Sequence, residues 1–158
     1  MSCSCGRAPD ALITGATCPA SGTPGKRVEL LTVKGVLRES ALARVSPGDH
    51  LFCPDPVCEV VYFDQRGKTY LRRDVRVPVW EKEAAGSRMI CYCFGENEAD
   101  IRRELGEQGA SGAVARVRAH IQAGRCACEI RNPRGVCCLA DLIAAIERAG
   151  EASAKVQK

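Results

Sequence analysis

The chain has 158 residues, of which 46% are hydrophobic but only 4% aromatic, so its core must be built from Val, Leu, Ile and Ala. A net charge of +4 is spread over both halves, and no basic stretch is concentrated enough for a nucleic-acid footprint. No run approaches the ~20 apolar residues of a membrane span, and the opening MSCSCGRAPD lacks the apolar stretch of a secretion signal.

These features predict a cytoplasmic protein. In a reducing compartment dense cysteine spacing reads as metal binding rather than as a disulfide framework. The odd count of 11 cysteines also opposes full internal pairing.

Residues 1–16 read as a flexible N-terminus. Their Cys3 and Cys5 (CSC) have the soft thiolates and close spacing that suit Cu(I), or are exposed thiols without a fixed role.

Residues 17–85 read as a β-rich unit. Strands are expected over Val28–Val36, Leu51–Cys53, Glu59–Phe63 and Thr69–Val79, where β-branched and aromatic residues lie between turn signals. A short helical turn fits Leu37–Val45. Cys18 sits in TCPASG, and Cys53 and Cys58 form FCPDPVCEVVYF, a C-x4-C turn constrained by Pro54 and Pro56. A structural zinc takes four ligands, and this set supplies three. Ser21 occupies the place of a C-x-x-C partner but is a poor ligand; His50, Asp55, Asp64, Cys3 or Cys5 are the candidates for the fourth.

The polar stretch Glu81–Arg88 contains Gly86 and marks the boundary to a second unit, residues 86–150. Asn97 is placed to cap a helix running to about Glu107, with Gly109 ending it. Ser111 is placed to cap a second helix through Ala123, closed by Gly124. A third, from about Leu139 to Ala149, sets Leu139, Leu142, Ile143 and Ile146 on one stripe. Residues 151–158 have no apolar face and read as a fraying tail. The fold class is therefore α+β, a β-rich domain followed by three helices.

Six cysteines lie in the second unit, at helix ends rather than on the apolar stripes: Cys91 and Cys93 (CYC), Cys126 and Cys128 (CAC), and Cys137-Cys138. In an extended C-x-C both side chains project to one side, so Cys91 and Cys93 can share a metal centre. Vicinal cysteines point apart, so one of Cys137 and Cys138 ligates and the other packs. Four thiolates are the usual ligands of a [2Fe-2S] cluster, and also suit tetrahedral zinc. Helix N-termini beside Cys93 and Cys138 favour the net negative charge of a thiolate-ligated [2Fe-2S] centre.

The run ICYCFGENEADIRREL…CACEIRNPRGVCCL, with its CYC…CxxxNPxGxCC motif, resembles the N-terminal region of the CopZ copper chaperones, itself related to the bacterioferritin-associated ferredoxin fold. With the CPxSG and FCxxxxCxVVYF elements the resemblance spans roughly residues 17–140. It implies [2Fe-2S] ligation by Cys91, Cys93, Cys128 and Cys138, leaving Cys126 and Cys137 as non-ligands, and a mononuclear zinc domain in the first half. The chain departs from the simpler ferredoxin-like pattern, which ends in C-x-x-C.

The resemblance implies electron transfer linked to copper or other metal handling. The copper-carrying domain of that family has a C-x-x-C motif that this sequence lacks, so copper delivery is expected to need a separate copper carrier or a copper-transporting ATPase. No P-loop, GxGxxG or hydrolytic triad is present, which favours an electron carrier over an enzyme, with Cu(II) reduction as the one reaction in view. Two other functions fit the composition: a non-redox, zinc-stabilised interaction module, and a ferredoxin-like donor to another enzyme.

Overall fold

The structure is a computed structural model and describes residues 16–156. Its first half contains a four-stranded antiparallel sheet of β1 (Lys26–Val28), β2 (His50–Phe52), β3 (Val60–Asp64) and β4 (Thr69–Leu71), in that spatial order. Two short helices, α1 (Leu30–Val36) and α2 (Glu39–Leu42), lie between β1 and β2. The second half pairs β5 (Met89–Cys91) with β6 (Glu96–Asn97), followed by α3 (Glu98–Gln108), α4 (Ala113–Gln122), α5 (Cys128–Arg131) and α6 (Leu139–Val156). The α+β class expected from the sequence is the class observed.

Three expectations need correction. The strand predicted over Val28–Val36 is a strand only up to Val28 and then becomes helix α1. Its buried residues Thr32, Val33 and Val36 recur with helical spacing, and packing of that face overrides their β-branched preference. The strand predicted over Thr69–Val79 stops at Leu71, where the Asp74 carboxylate accepts the Leu71 N–H at 2.8 Å and a 3-10 turn follows over Arg72–Asp74. Helix α6 does not end near Ala149 but continues to Val156, with residues 151–156 exposed.

The predicted punctuation of the second half is observed. The Asn97 side chain accepts the Asp100 N–H at 2.9 Å, and Gly109 ends α3 in the left-handed conformation at φ 74°. Ser111 accepts the Ala113 N–H at 3.3 Å, although the formal N-cap of α4 is Gly112.

Side chains alternate across the sheet, which separates two tasks. Phe52 and Tyr62 pack with Val33, Val36 and Leu37 of the α1 side. Leu51, Val60 and Phe63 pack with Cys18, Cys53 and Cys58 on the other. The second half has its own core of Ile90, Ile101, Val117 and Leu142.

The halves meet at a close junction. Gly35 of α1 lies so close to α5 that a Cβ there would stand 2.8 Å from the Ile130 carbonyl oxygen. Gly135 has φ 70°, and a Cβ on it would stand 2.6 Å from Thr32 Oγ1. The Tyr62 hydroxyl donates to the Pro133 carbonyl at 2.5 Å, and Arg134 pairs with Glu81 at 2.9 Å.

Candidate metal centres

The first site lies at the sheet face opposite α1. Cys18, Cys53 and Cys58 are buried, and their sulfurs all lie within 4.8 Å of one another, with Cys18 and Cys58 at 3.9 Å. Chain geometry makes this convergence. The Cys18 carbonyl accepts the Gly22 N–H and the Cys18 N–H donates to Thr23, closing the CPASG turn. Cys53 continues β2, and Asp55 closes the C-x4-C loop by accepting the Val57 N–H at 2.9 Å.

Burial alone would raise the Cys18 thiol, but the Ser21 N–H and hydroxyl and the Ala20 N–H donate to it and leave its pKa lowered. Burial pushes Cys53 up to about 11, opposed by hydrogen bonds and by the Lys82 charge. A buried thiol trio of this kind fits a soft or borderline cation, which would replace protons as the compensating charge.

Lys82 is the unexpected participant. It is only 5% exposed, and its ammonium donates to the carbonyls of Asp55 at 2.7 Å and Cys58 at 3.0 Å. It therefore pins the metal loop and places a positive charge beside the thiols. The sequence offers no signal for this, because Lys82 falls in the polar stretch read as a linker.

The fourth ligand proposed from sequence is not supplied by His50, Asp55 or Asp64 in the described residues, since none joins the trio. His50 is on β2 one residue out of phase with Leu51 and Cys53, and its ring lies against Tyr70 on the other face. Asp64 is occupied by the Ser46 hydroxyl at 2.7 Å and the Arg66 and Lys68 N–H groups, both at 2.9 Å. Asp55 accepts the Val57 N–H at 2.9 Å and the Thr23 hydroxyl at 3.5 Å. Ser21 Oγ does approach, 3.5 Å from Cys53 Sγ. Cys3 and Cys5 lie outside the described residues.

The second site gathers thiols from three segments. Cys91 ends β5, Cys93 is in the turn to β6, Cys128 opens α5 and Cys138 directly precedes α6. Cys93 and Cys128 sulfurs lie 3.8 Å apart, and the Ala127 N–H donates to Cys93 Sγ at 3.2 Å. A hydrogen bond from the Cys138 thiol, then one from Cys93, lowers Cys128 to about 3. A bond from Cys138 likewise lowers Cys91 to about 7. The donors Cys138 and Cys93 are correspondingly raised, with burial adding to both.

The loop between Cys128 and Cys138 is fixed by Asn132, which accepts the Arg134 N–H at 3.0 Å and donates to Val136 at 2.8 Å. Cys137 is half-buried, and its thiol also bonds Cys128. Cys126 is not among the free thiols and makes an interaction of its own.

Comparison with known proteins agrees with the first site. The CopZ zinc binding domain family matches residues 15–76. The N-terminal domain of CopZ from Archaeoglobus fulgidus, solved by X-ray crystallography, superposes with a TM-score of 0.65 at 30% identity, covering 82% of this chain and 96% of that one. The chain belongs to the CopZ N-terminal domain family. The full copper chaperone CopZ of A. fulgidus is 31% identical over 121 residues, 77% of this chain. The chain spans 57% of the length of that curated relative. As in the family, the first half is a zinc-binding domain, and the thiol trio lies within the matched residues. Among the described residues no helix is long and apolar enough to cross a membrane.

Proposed function

We infer that the second half binds a [2Fe-2S] cluster through Cys91, Cys93, Cys128 and Cys138, and that the protein is an electron carrier in copper or other metal handling. The observation that carries this reading is the convergence of four thiols from three separate segments, with the Cys93 and Cys128 sulfurs 3.8 Å apart and Cys91, Cys93 and Cys138 packed in one cluster. Four thiols at one place fit the donor set that such a cluster needs. A cluster bound there supplies one-electron chemistry.

The chain's own residues have defined tasks in this reading. Cys128 and Cys91 have lowered thiol pKa values, which favours the thiolate form a metal ligand needs. The Ala127 N–H donates to Cys93 sulfur, the kind of bond that stabilises added negative charge and so raises a potential. Asn132 and the Tyr62–Pro133 bond hold the loop that spaces Cys128 from Cys138. Cys137 packs beside the site as a non-ligand.

The relative's printed role as a copper chaperone points to a copper carrier or a copper-transporting ATPase as partner, in the cytoplasm. Cys3 and Cys5 are candidates for transient Cu(I) binding. Zinc in both sites would instead make a non-redox interaction module.

Reversible redox cycling tests the reading. Protein bleached by dithionite, freed of excess reductant and mixed with Cu(II), should regain its visible bands. A chromophore that never bleaches, or bleaches and is not reoxidised by Cu(II), contradicts electron transfer to copper.

A further inference from the structure

Beyond the metal centres the fold builds a cationic cleft on the first half. A lone antiparallel bridge joins Leu37 to Val75, where the chain leaves α1 and the 3-10 turn after β4. The Arg38 and Arg76 N–H groups donate across it to Asp74 and Val36 at 2.8 and 3.0 Å.

The side chains of the same two arginines repeat this exchange. Arg38 Nε donates to the Val75 carbonyl at 3.0 Å, and Arg76 Nε and Nη2 donate to the Leu37 carbonyl at 3.3 and 2.9 Å. Each guanidinium is thus clasped to the opposite strand. Both Nη groups of Arg38 and Nη1 of Arg76 have no partner among the described residues.

These arginines, with Arg72, Arg73, Val77 and Glu83, line a cleft of about 410 Å³. Four arginines therefore face one glutamate, and Glu83 is already committed to Arg72 at 3.1 Å. Glu59 reaches the same Arg72 at 3.8 Å. Arg76 has a loose approach to Glu39 at 3.7 Å, with that carboxylate 92% exposed. Among the described residues no ion pair engages Arg38 or Arg73.

Clustering like charges raises their mutual repulsion, which an anion in the cleft would relieve. Planar guanidiniums match phosphate and carboxylate oxygens in paired hydrogen bonds. Holding them by backbone carbonyls reduces the ordering cost on binding. The volume lies within the roughly 300–1,000 Å³ typical of small-ligand sites and is small for a macromolecular surface.

We propose that this cleft binds a small polyvalent oxoanion, of the phosphate or polycarboxylate class, through Arg38, Arg73 and Arg76. The inference is independent of what fills the two thiol sites.

The test is isothermal titration of the metal-loaded protein with pyrophosphate and with citrate, at constant ionic strength. One-to-one saturable binding with Kd below about 1 mM is expected for at least one of them, and the tighter anion identifies the class. Arg38→Gln and Arg73→Gln should each weaken it by about tenfold or more, while Arg118→Gln on the exposed face of α4 leaves it unchanged. Arg38 supports the bridge through its bond to Val75, whereas the Arg73 side chain makes no hydrogen bond or ion pair among the described residues, so Arg73→Gln decides. Absence of saturation with both anions, or equal affinity in Arg73→Gln and wild type, overturns the proposal.

Discussion

The hydroxyl of Tyr62, buried in the sheet of the zinc-binding half, donates to the carbonyl of Pro133 in the loop between Cys128 and Cys138. The two halves are thereby joined at the loop that sets the spacing of the second thiol site. Burial holds the Tyr62 hydroxyl protonated well above its ordinary range, so the bond persists at any working pH. Tyr62→Phe leaves that carbonyl without its donor. A buried unsatisfied group costs about 1–3 kcal/mol, so the variant should unfold at lower denaturant and lose visible absorbance from the second site sooner. Equal midpoints in denaturation and in absorbance decay would show that the bond does not join the halves.

Lys82 should matter to zinc rather than to fold alone. Its two carbonyl bonds hold the Cys53–Cys58 loop, and its charge offsets the thiolates. Loss of an outer partner of a metal site costs about 10–100-fold in affinity. Lys82→Met keeps the aliphatic stem, and in competition with a chromophoric chelator it should release zinc correspondingly more readily. Unchanged competition would reduce Lys82 to a packing residue.

Gly35 offers a test of sign. A helical Gly→Ala change ordinarily stabilises by up to about 1 kcal/mol. Here the added Cβ would stand 2.8 Å from a backbone oxygen of α5, which cannot turn aside as a side-chain tip could. Gly35→Ala should therefore destabilise, by about 1–3 kcal/mol as overpacking does, with thermal unfolding as the readout. A raised Tm would mean that α5 yields.

Asp64 supplies a pH dependence. Burial would raise its carboxyl, but the Ser46 hydroxyl and the Lys68 and Arg66 N–H groups outweigh it and lower the pKa below 3.8. A depressed folded pKa gives stability that is present above the unfolded value and lost as pH falls through the folded one. Asp64→Asn should thus be less stable than wild type at pH 7, by about 1–2 kcal/mol, and the gap should close below pH about 4. A gap constant from pH 7 to pH 3 would contradict this assignment.

How far the sequence reveals this structure depends on the range of the interactions. Asn97, Gly109 and Gly124 act on their own helix ends, and their signals predict α3 and α4 closely. Cysteine spacing likewise points to Cys53 and Cys58, because the turn through Pro54 and Asp55 is local, whereas Cys18 reaches Cys58 from 40 positions away in sequence. Thr32, Val33 and Val36 carry β-branched side chains that suit a strand, and the packing of Val33 and Val36 against sheet residues such as Phe52 and Tyr62 selects the helix. Lys82 was illegible for the same reason: its partners, Asp55 and Cys58, lie far back in the chain. His50 was a reasonable candidate ligand by type, but the alternation of β2 turns it away from Cys53.

Metal and sulfide analysis of anaerobically purified protein tests the central claim most directly, with wild type compared with Cys137→Ser and Cys138→Ser. The account predicts about two irons, two sulfides and one zinc per chain in wild type and in Cys137→Ser, with charge-transfer bands near ~400–600 nm, and loss of iron and sulfide but not zinc in Cys138→Ser. A colourless wild-type protein holding about two zincs after anaerobic reconstitution would contradict it.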